Sequence, residues 1–354
     1  MTPAPALPRE DIDHVLRHTE TVWPDLRGAR VFITGGTGFF GRWLLESFVA
    51  ANRAFALGAE VTVLTRDPDA AARRMPGASG EPSVRLLRGD VRDFAFPDRP
   101  ATHVIHGATA ASAALNEQQP GEMLDTIVGG TRHTMNFASR TGARRVLLVS
   151  SGAVYGVQPP TLAHVDEAFA GGPDPLDPRQ TYAEGKRVAE LIGTLAAREA
   201  PFELSVARCF AFVGPGLPLD VHFAIGNFIR DALCRGPIRL TGDGAPVRSY
   251  LYAADLAIWL WTLLVRGPAG RAYNVGSERA IALHDLALLI ADLAPVRCDV
   301  LRAREPDLSQ PAPRYVPCTR RAERELGLTE RIHLPDAIAR TMRWHLSSHV
   351  SSEP

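Results

Sequence analysis

The chain of 354 residues is 45% hydrophobic and 22% charged, and its 39 basic and 39 acidic side chains leave zero formal net charge. That balance excludes the broad basic face a nucleic-acid partner requires, but it leaves room for a small anion held by a few local arginines. Cys209, Cys234, Cys298 and Cys318 are scattered without metal-ligand spacing, and the N-terminus carries Pro and acidic residues where a secretory signal would have an apolar core. No segment approaches ~18 uninterrupted apolar residues, so no membrane span is expected and a reducing, cytoplasmic setting is.

Residues 1–27 read as an N-terminal extension with a short helix starting near Asp11. Short apolar runs then recur at Val31–Thr34, Val61–Thr65, Val84–Leu87, His103–His106, Val146–Ser150 and Leu204–Arg208, each suited to a strand buried on both faces. Helical stretches separate them: Phe39 to about Leu57, Gly121 to about Thr141, and Thr181 to about Glu199. This alternation predicts an α/β fold, a Rossmann-type doubly wound parallel sheet. The dinucleotide domain is expected to span 28–210 together with 247–276. Residues 211–246 and 277–354 are expected to build a smaller mixed α/β lobe for substrate, and beyond Phe210 helices are expected at 253–266, within the dinucleotide domain, and at 283–293, within the lobe.

The first strand runs into Thr34-Gly35-Gly36-Thr37-Gly38-Phe39-Phe40-Gly41. Gly35, Gly38 and Gly41 have separate tasks in such a turn: a positive φ angle, close approach of a pyrophosphate, and tight packing of helix on strand. The helix that starts here offers free N–H groups and its positive dipole end to phosphates. At the end of the second strand an NAD enzyme usually places an acidic residue for the ribose 2′-hydroxyl. Here Thr65 and Arg66 stand at that point, and a guanidinium beside a hydroxyl suits a 2′-phosphate, so NADP is favoured. Asp67 keeps NAD open. Gly89-Asp90-Val91 follows the third strand, where Asp90 and Val91 would either flank the adenine or form a plain turn.

Thr181-Tyr182-Ala183-Glu184-Gly185-Lys186 begins a helix after a proline-rich loop, and residues four apart on a helix share a face. A phenol with a pKa of about 10 is a poor base at neutral pH, and a nearby ammonium is expected to lower that value. Ser151, at the end of the strand Val146–Ser150, can fix the substrate oxygen. Ser151, Tyr182 and Lys186 are therefore the candidate catalytic residues. His106 closes a strand lining the same cleft and reads as a packed, hydrogen-bonded histidine rather than a base. His133, His222 and His284 show no ligand spacing, and no metal site is expected.

Together these residues resemble the extended short-chain dehydrogenase/reductases of the nucleotide-sugar epimerase/dehydratase family, over roughly residues 28 to 345. The matching motifs are TGGTGFFG at 34–41, GDVRD at 89–93, VIHGAT at 104–109, SSGAVYG at 150–156, YAEGK at 182–186, RSYLYAADLA at 248–257 and YNVGS at 273–277. The resemblance implies a catalytic Ser151, Tyr182 and Lys186, and cofactor contacts from Thr37, Phe39, Phe40 and Ala108 beside the loop glycines. It also implies a diphosphate gripped by Arg248 and Arg314, a nucleotide contact from Asn227, and a homodimer paired through the helices at 121–141 and 181–199.

Several positions depart from the family pattern. Dehydratases carry Asp-Glu directly after the catalytic hydroxyl residue, and sugar-acid decarboxylases resemble Ser-Glu there; this chain has Gly152-Ala153. Ile127 and Ala211 replace asparagines, Ser249 replaces aspartate, and Gly185 replaces the serine before the lysine. The pattern points to an epimerase acting at C4 of a nucleotide-diphosphate sugar through a 4-keto intermediate. An NADPH-dependent 4-keto-sugar reductase is the alternative, and a 4,6-dehydratase or a non-catalytic dinucleotide sensor stands behind both.

Overall fold

The computed structural model describes residues 5–109, 113–221, 223–307, 309 and 311–350. Helix α1 (Arg9–His18) opens the chain, with Glu10 and Asp11 in its first turn and Arg17 and His18 in its last, as the helix dipole favours. Strand β1 (Arg30–Thr34) leads through the glycine loop into α2 (Phe39–Ala54). Then follow β2 (Glu60–Thr65), the short helices α3 (Pro68–Arg74) and α4 (Pro76–Ser79), β3 (Val84–Arg88) and β4 (His103–His106). Helices α5 (Ala113–Gln118) and α6 (Pro120–Arg140) precede β5 (Arg145–Ser151), and α7 (Thr181–Glu199) precedes β6 (Glu203–Cys209).

The remaining elements alternate between the main sheet and the lobe. They are β7 (Phe212–Val213), α8 (Ala224–Leu233), β8 (Ile238–Leu240), β9 (Val247–Arg248), β10 (Leu251–Tyr252), α9 (Ala253–Arg266) and β11 (Arg271–Val275). After them come β12 (Ile281–Ala282), α10 (Leu283–Leu293), β13 (Val300–Arg302), β14 (Arg314–Tyr315), α11 (Arg320–Leu326) and α12 (Leu334–Val350).

Seven strands form one parallel sheet in the order β11-β6-β5-β4-β1-β2-β3. The strand order reverses between β1 and β4, and a ligand cleft opens at such a switch point, beyond the carboxyl ends of the strands. Each of the six apolar runs in the sequence is a strand of this sheet, and α7 has the expected bounds. β11 extends the sheet by pairing with β6. Helices α2 and α9 cover one face, with α1 packed across both, and α6 and α7 cover the other. The first side holds Trp23, Trp43, Trp259 and Trp261, all fully buried, and the second is built around Phe32, Phe94 and Phe137. In the lobe, β12-β9-β14 form a small sheet.

Among the described residues, no helix is long and apolar enough to cross a membrane and no group of acidic, His or Cys side chains is placed to hold a metal ion. His222 lies outside the described residues.

Candidate functional site at the sheet switch point

The three glycines of the loop divide their tasks physically. Gly35 has φ +77°, and a Cβ there would lie 2.6 Å from the backbone of Gly107, so only glycine lets β1 turn against the strand end beside it. At Gly41 a Cβ would meet the backbone of Gly36 at 2.3 Å, which seats α2 against the loop. Gly38 has ordinary space, with Gly35 O at 3.6 Å as the nearest atom. It leaves the start of α2 open, and no side chain caps that helix. Free first-turn N–H groups behind an open glycine fit a pyrophosphate. Phe39 and Phe40 stand half-buried at the helix start, Phe40 edge-on to Phe212 at 4.9 Å. Thr37 is half-buried in the same loop.

Next to the loop, a chain of hydrogen bonds fixes the end of β4. Ala108 N–H donates to Thr34 Oγ1 (3.1 Å), Thr34 pairs with His106 Nδ1 (2.8 Å), and His106 Nε2 pairs with Thr131 Oγ1 (3.0 Å), which donates to Ile127 O (2.7 Å). Since Thr131 gives its proton to a carbonyl, it accepts from Nε2–H, and Thr34 therefore donates to Nδ1. His106 is thus a neutral, satisfied histidine whose pKa is pushed down to about 3 by burial. It shapes the turn that carries Ala108.

Beyond the end of β2, Asp67 caps α3 by accepting from Ala70 N–H at 3.0 Å, and that bond holds its carboxyl below the usual range. Thr65 Oγ1 accepts from Asp67 N–H at 3.3 Å, Arg66 is exposed, and Arg88 donates to the Arg66 carbonyl at 3.3 Å. Asp90 is gripped by Arg92 through Nε (2.8 Å) and Nη2 (3.0 Å), which holds its pKa down. Val91 packs on Gly130 of α6.

Ser151 ends β5, and Tyr182 and Lys186 lie one turn apart at the start of α7. Asn116 of α5 fixes that start by accepting from Tyr182 N–H (2.9 Å) and donating to Arg179 O (2.7 Å). Lys186 is buried, donates from Nζ to Val149 O at 2.9 Å, and sits 5.9 Å from the centre of the Tyr182 ring. Burial lowers its pKa to about 8. The Tyr182 phenol is pushed up to about 12 by burial, against the easing effect of the Ser151 hydroxyl. The expected lowering by the ammonium is therefore overridden: Lys186 is turned toward a carbonyl, and enclosure dominates the phenol.

Composition carries a signal for this lysine that pattern reasoning missed. Of the 39 basic residues, Lys186 is the single lysine and the other 38 are arginine. A chain that uses arginine at every other Lys/Arg position keeps here the one such side chain whose proton can be lost, since a guanidinium stays charged.

Tyr315 was also missed. It interacts with the Ser151 hydroxyl, lies tilted against the Phe210 ring with centroids 4.6 Å apart, and is driven up in pKa by burial. Its strand is two residues long, so no periodicity marks it. The register pairs Arg248 with Tyr315 and Arg314 with Val247, so alternation puts Arg248 and Tyr315 on one face of the small sheet and Arg314 on the other. Arg248 Nη1 donates to Val247 O at 2.9 Å, whereas Arg314 Nε is buried with no hydrogen-bond partner among the described residues. Asn227 lies on α8, with Oδ1 accepting from Arg230 at 3.4 Å.

The departures from the family pattern have visible neighbours. A Cβ on Gly152 would lie 2.7 Å from the Phe210 ring, so that ring occupies the space beyond Ser151. Ile127 Cδ1 lies 3.1 Å from where a Cβ of Gly185 would stand, so the isoleucine fills the gap left by the missing serine side chain.

Comparison with known proteins agrees with this architecture. The chain is 29% identical over 291 residues to UDP-glucuronic acid decarboxylase 1 of Arabidopsis thaliana, covering 79% of this chain and 64% of that protein. It is 28% identical over 290 residues to UDP-glucuronic acid decarboxylase 6 of the same plant, covering 79% and 81%. Among solved structures, MoeE5 in complex with UDP-glucose and NAD superposes with a TM-score of 0.74 at 26% identity, over 90% of this chain and 99% of that one. The UDP-glucose 4-epimerase of Thermotoga maritima shares the fold, with a TM-score of 0.75 at 18% identity over 90% and 99%. The model of the NAD dependent epimerase/dehydratase family matches residues 31–276, from the first residues of β1 to the end of β11, and the chain belongs to that family.

Proposed function

We propose that this chain transfers a hydride at C4 of a nucleoside-diphosphate sugar and works as an epimerase, oxidising C4 and returning the hydride to the opposite face. The observation that carries this reading is the convergence of Ser151, Tyr182 and Lys186 beside the glycine loop, with no carboxylate following the serine. Dehydration needs an acid for the leaving hydroxyl and a base for the neighbouring proton, and Gly152-Ala153 supplies neither. The decarboxylase relatives share the nucleotide-sugar setting, but the glutamate of the decarboxylase pattern is absent here.

A bound nicotinamide dinucleotide supplies the hydride acceptor and donor. Ser151 and Tyr182 hold the C4 oxygen between them, and Tyr182 carries its proton. Lys186, anchored on Val149 O, keeps donors for the nicotinamide ribose. The capped Asp67 and exposed Arg66 support NADP over NAD. Arg248 and the unpaired Nε of Arg314 support a diphosphate bound from two sides, with Asn227 at the nucleotide. The neutral phenol of Tyr182 is the proton-donating form, which together with Arg66 favours the second reading, a 4-keto-sugar reductase. Leu124 on α6 and Leu191 and Leu195 on α7 are exposed, which supports a homodimer paired through these helices. Sedimentation is expected to give a dimer that Leu191→Arg splits.

The test is to incubate UDP-glucose or UDP-glucuronic acid with the protein and catalytic NADP or NAD, and to read products by proton NMR. A C4-inverted sugar without net cofactor consumption is expected. Turnover only of a 4-keto sugar with stoichiometric NADPH moves the assignment to the reductase. Release of carbon dioxide with formation of a UDP-pentose from UDP-glucuronic acid removes the epimerase, and unchanged turnover in Tyr182→Phe removes the catalytic site.

A further inference from the structure

Directly beneath the triad lies a row of polar side chains. In the sheet register Ser150, Arg208 and Asn274 are neighbours on β5, β6 and β11, one residue before Ser151, Cys209 and Val275. Glu190 of α7, one turn beyond Lys186 and two beyond Tyr182, closes the row from the helix side. It accepts from Ser150 Oγ at 2.6 Å and from Arg208 Nε and Nη2 at 3.0 and 2.7 Å. Arg208 Nη1 donates to Tyr155 Oη at 3.0 Å, and Tyr155 Oη donates to Asn274 Oδ1 at 2.7 Å. Asn274 Nδ2 then donates to the carbonyls of Val165 (2.8 Å) and Cys318 (3.0 Å), the latter three residues beyond Tyr315.

The face that α7 buries explains why such a clamp matters. Its buried residues are Ala183, Gly185, Lys186, Ala189 and Gly193, small side chains apart from the lysine. A smooth apolar face resists separation but resists sliding or rotation weakly, because nothing large interlocks. A charged network whose members are paired with one another favours one arrangement, since a shift leaves half-buried charge unpaired. The network is attached to the residue next to Ser151 and to the helix of Tyr182 and Lys186, the two parts that must meet.

We propose that Glu190 is a positioning residue of the hydride-transfer site, pinning α7 to β5 so that Tyr182 and Lys186 meet Ser151, and linking that register to the segment carrying Arg314 and Tyr315. This rests on the reading of Ser151, Tyr182 and Lys186 as the reacting triad. The ionisable groups around Lys186 are Tyr182 and Glu190 on α7, Cys209 on β6 and His106 on β4. Of these, Cys209 and then Glu190 raise the lysine pKa against the lowering by burial, and Glu190 is the carboxylate among them.

The single lysine gives a direct readout. The full chain made with isotope-labelled lysine shows one side-chain resonance to titrate, bound to NADP or free. Glu190→Gln is expected to move that titration down by on the order of half a unit, a shift that loss of packing alone would not produce. Ser150→Ala keeps the Glu190–Arg208 pair and so retains the fold. Both variants are expected to lower kcat on UDP-glucose by roughly 10- to 100-fold, with KM and NADP affinity within about twofold. An unmoved lysine titration in Glu190→Gln overturns the assignment without any substrate. So does wild-type kcat in both variants, or a loss matched by lost NADP affinity. Tyr182→Phe separates the two readings: if it too turns over normally, the triad itself is wrong, and if it is inactive while Glu190→Gln is normal, only the positioning role fails.

Discussion

At the end of β2 the polar side chains divide their tasks: Asp67, though exposed, is engaged in capping α3, Thr65 bonds to its backbone, and the exposed Arg66 side chain beside Arg88 is left, among the described residues, without a cap or partner of that kind. A charge-assisted hydrogen bond contributes about 1.5–3 kcal/mol, so Arg66→Ala is expected to weaken NADP binding by roughly 10- to 100-fold. NAD affinity, read in the same titration, should stay within about twofold because the lost partner is the extra phosphate. A second residue-scale consequence concerns acid. His106 is neutral in the fold with its pKa near 3, against 6.5 in the unfolded chain. The unfolded state binds the extra proton between those values, so this stability is complete above about pH 6.5 and is lost as pH falls toward 3. His106→Gln is expected to flatten that part of the pH dependence in urea melts, whatever its effect at pH 7. Ser151, Tyr182, Lys186 and the loop glycines were legible in the sequence because short-range spacing fixes them. The raised pKa of Tyr182 was not, because it depends on how strands from distant parts of the chain enclose it.

Elements were legible where they repeat a period over enough residues. The six strands and α7 announce themselves as apolar runs and a four-residue rhythm, although β3, at the sheet edge, is only partly covered and not buried on both faces. β9 and β14 have two residues each and owe their existence to pairing across the lobe, so Tyr315 could not be placed beforehand. The packing of α6 on α7 shows a subtler dependence. Gly185 lies in a helix interior, where replacing glycine by alanine ordinarily stabilises by about 1 kcal/mol. Here the new Cβ would press on Ile127 Cδ1 at 3.1 Å. Gly185→Ala alone is expected to be near neutral. In an Ile127→Val background, which removes that methyl, it should stabilise by about 1 kcal/mol. A double-mutant cycle in urea measures the difference, and equal effects in both backgrounds would separate the two departures that the structure joins.

On the scale of the whole molecule, the N-terminal helix is a staple rather than an appendage. Asp11 of α1 is fully buried, accepting from Tyr252 Oη at 2.6 Å and from Arg340 of α12 at 2.6 Å. His14 reaches the buried Asp255 at 3.2 Å, and Asp255 also accepts from the N–H groups of Arg331 and Ile332 just before α12. Trp344 of α12 donates to Ala6 O at 3.0 Å. Helices α1 and α12 are thereby locked together over α9. Removing one member of a buried ion pair typically costs about 3–5 kcal/mol, and Asp11→Ala is expected to fall in that range by urea denaturation. Nothing in the sequence pattern joins residue 11 to residue 340, since the pairing exists only once both ends have folded back. The sole lysine has a last consequence at this scale. A lysine-specific protease finds one peptide bond to cut, inside α7, beside a side chain that is 4% exposed. Intact protein should therefore resist it, and the rate of its slow digestion should count how often α7 lifts from the sheet. A dinucleotide that binds only the closed cleft should slow that clipping in proportion to its occupancy.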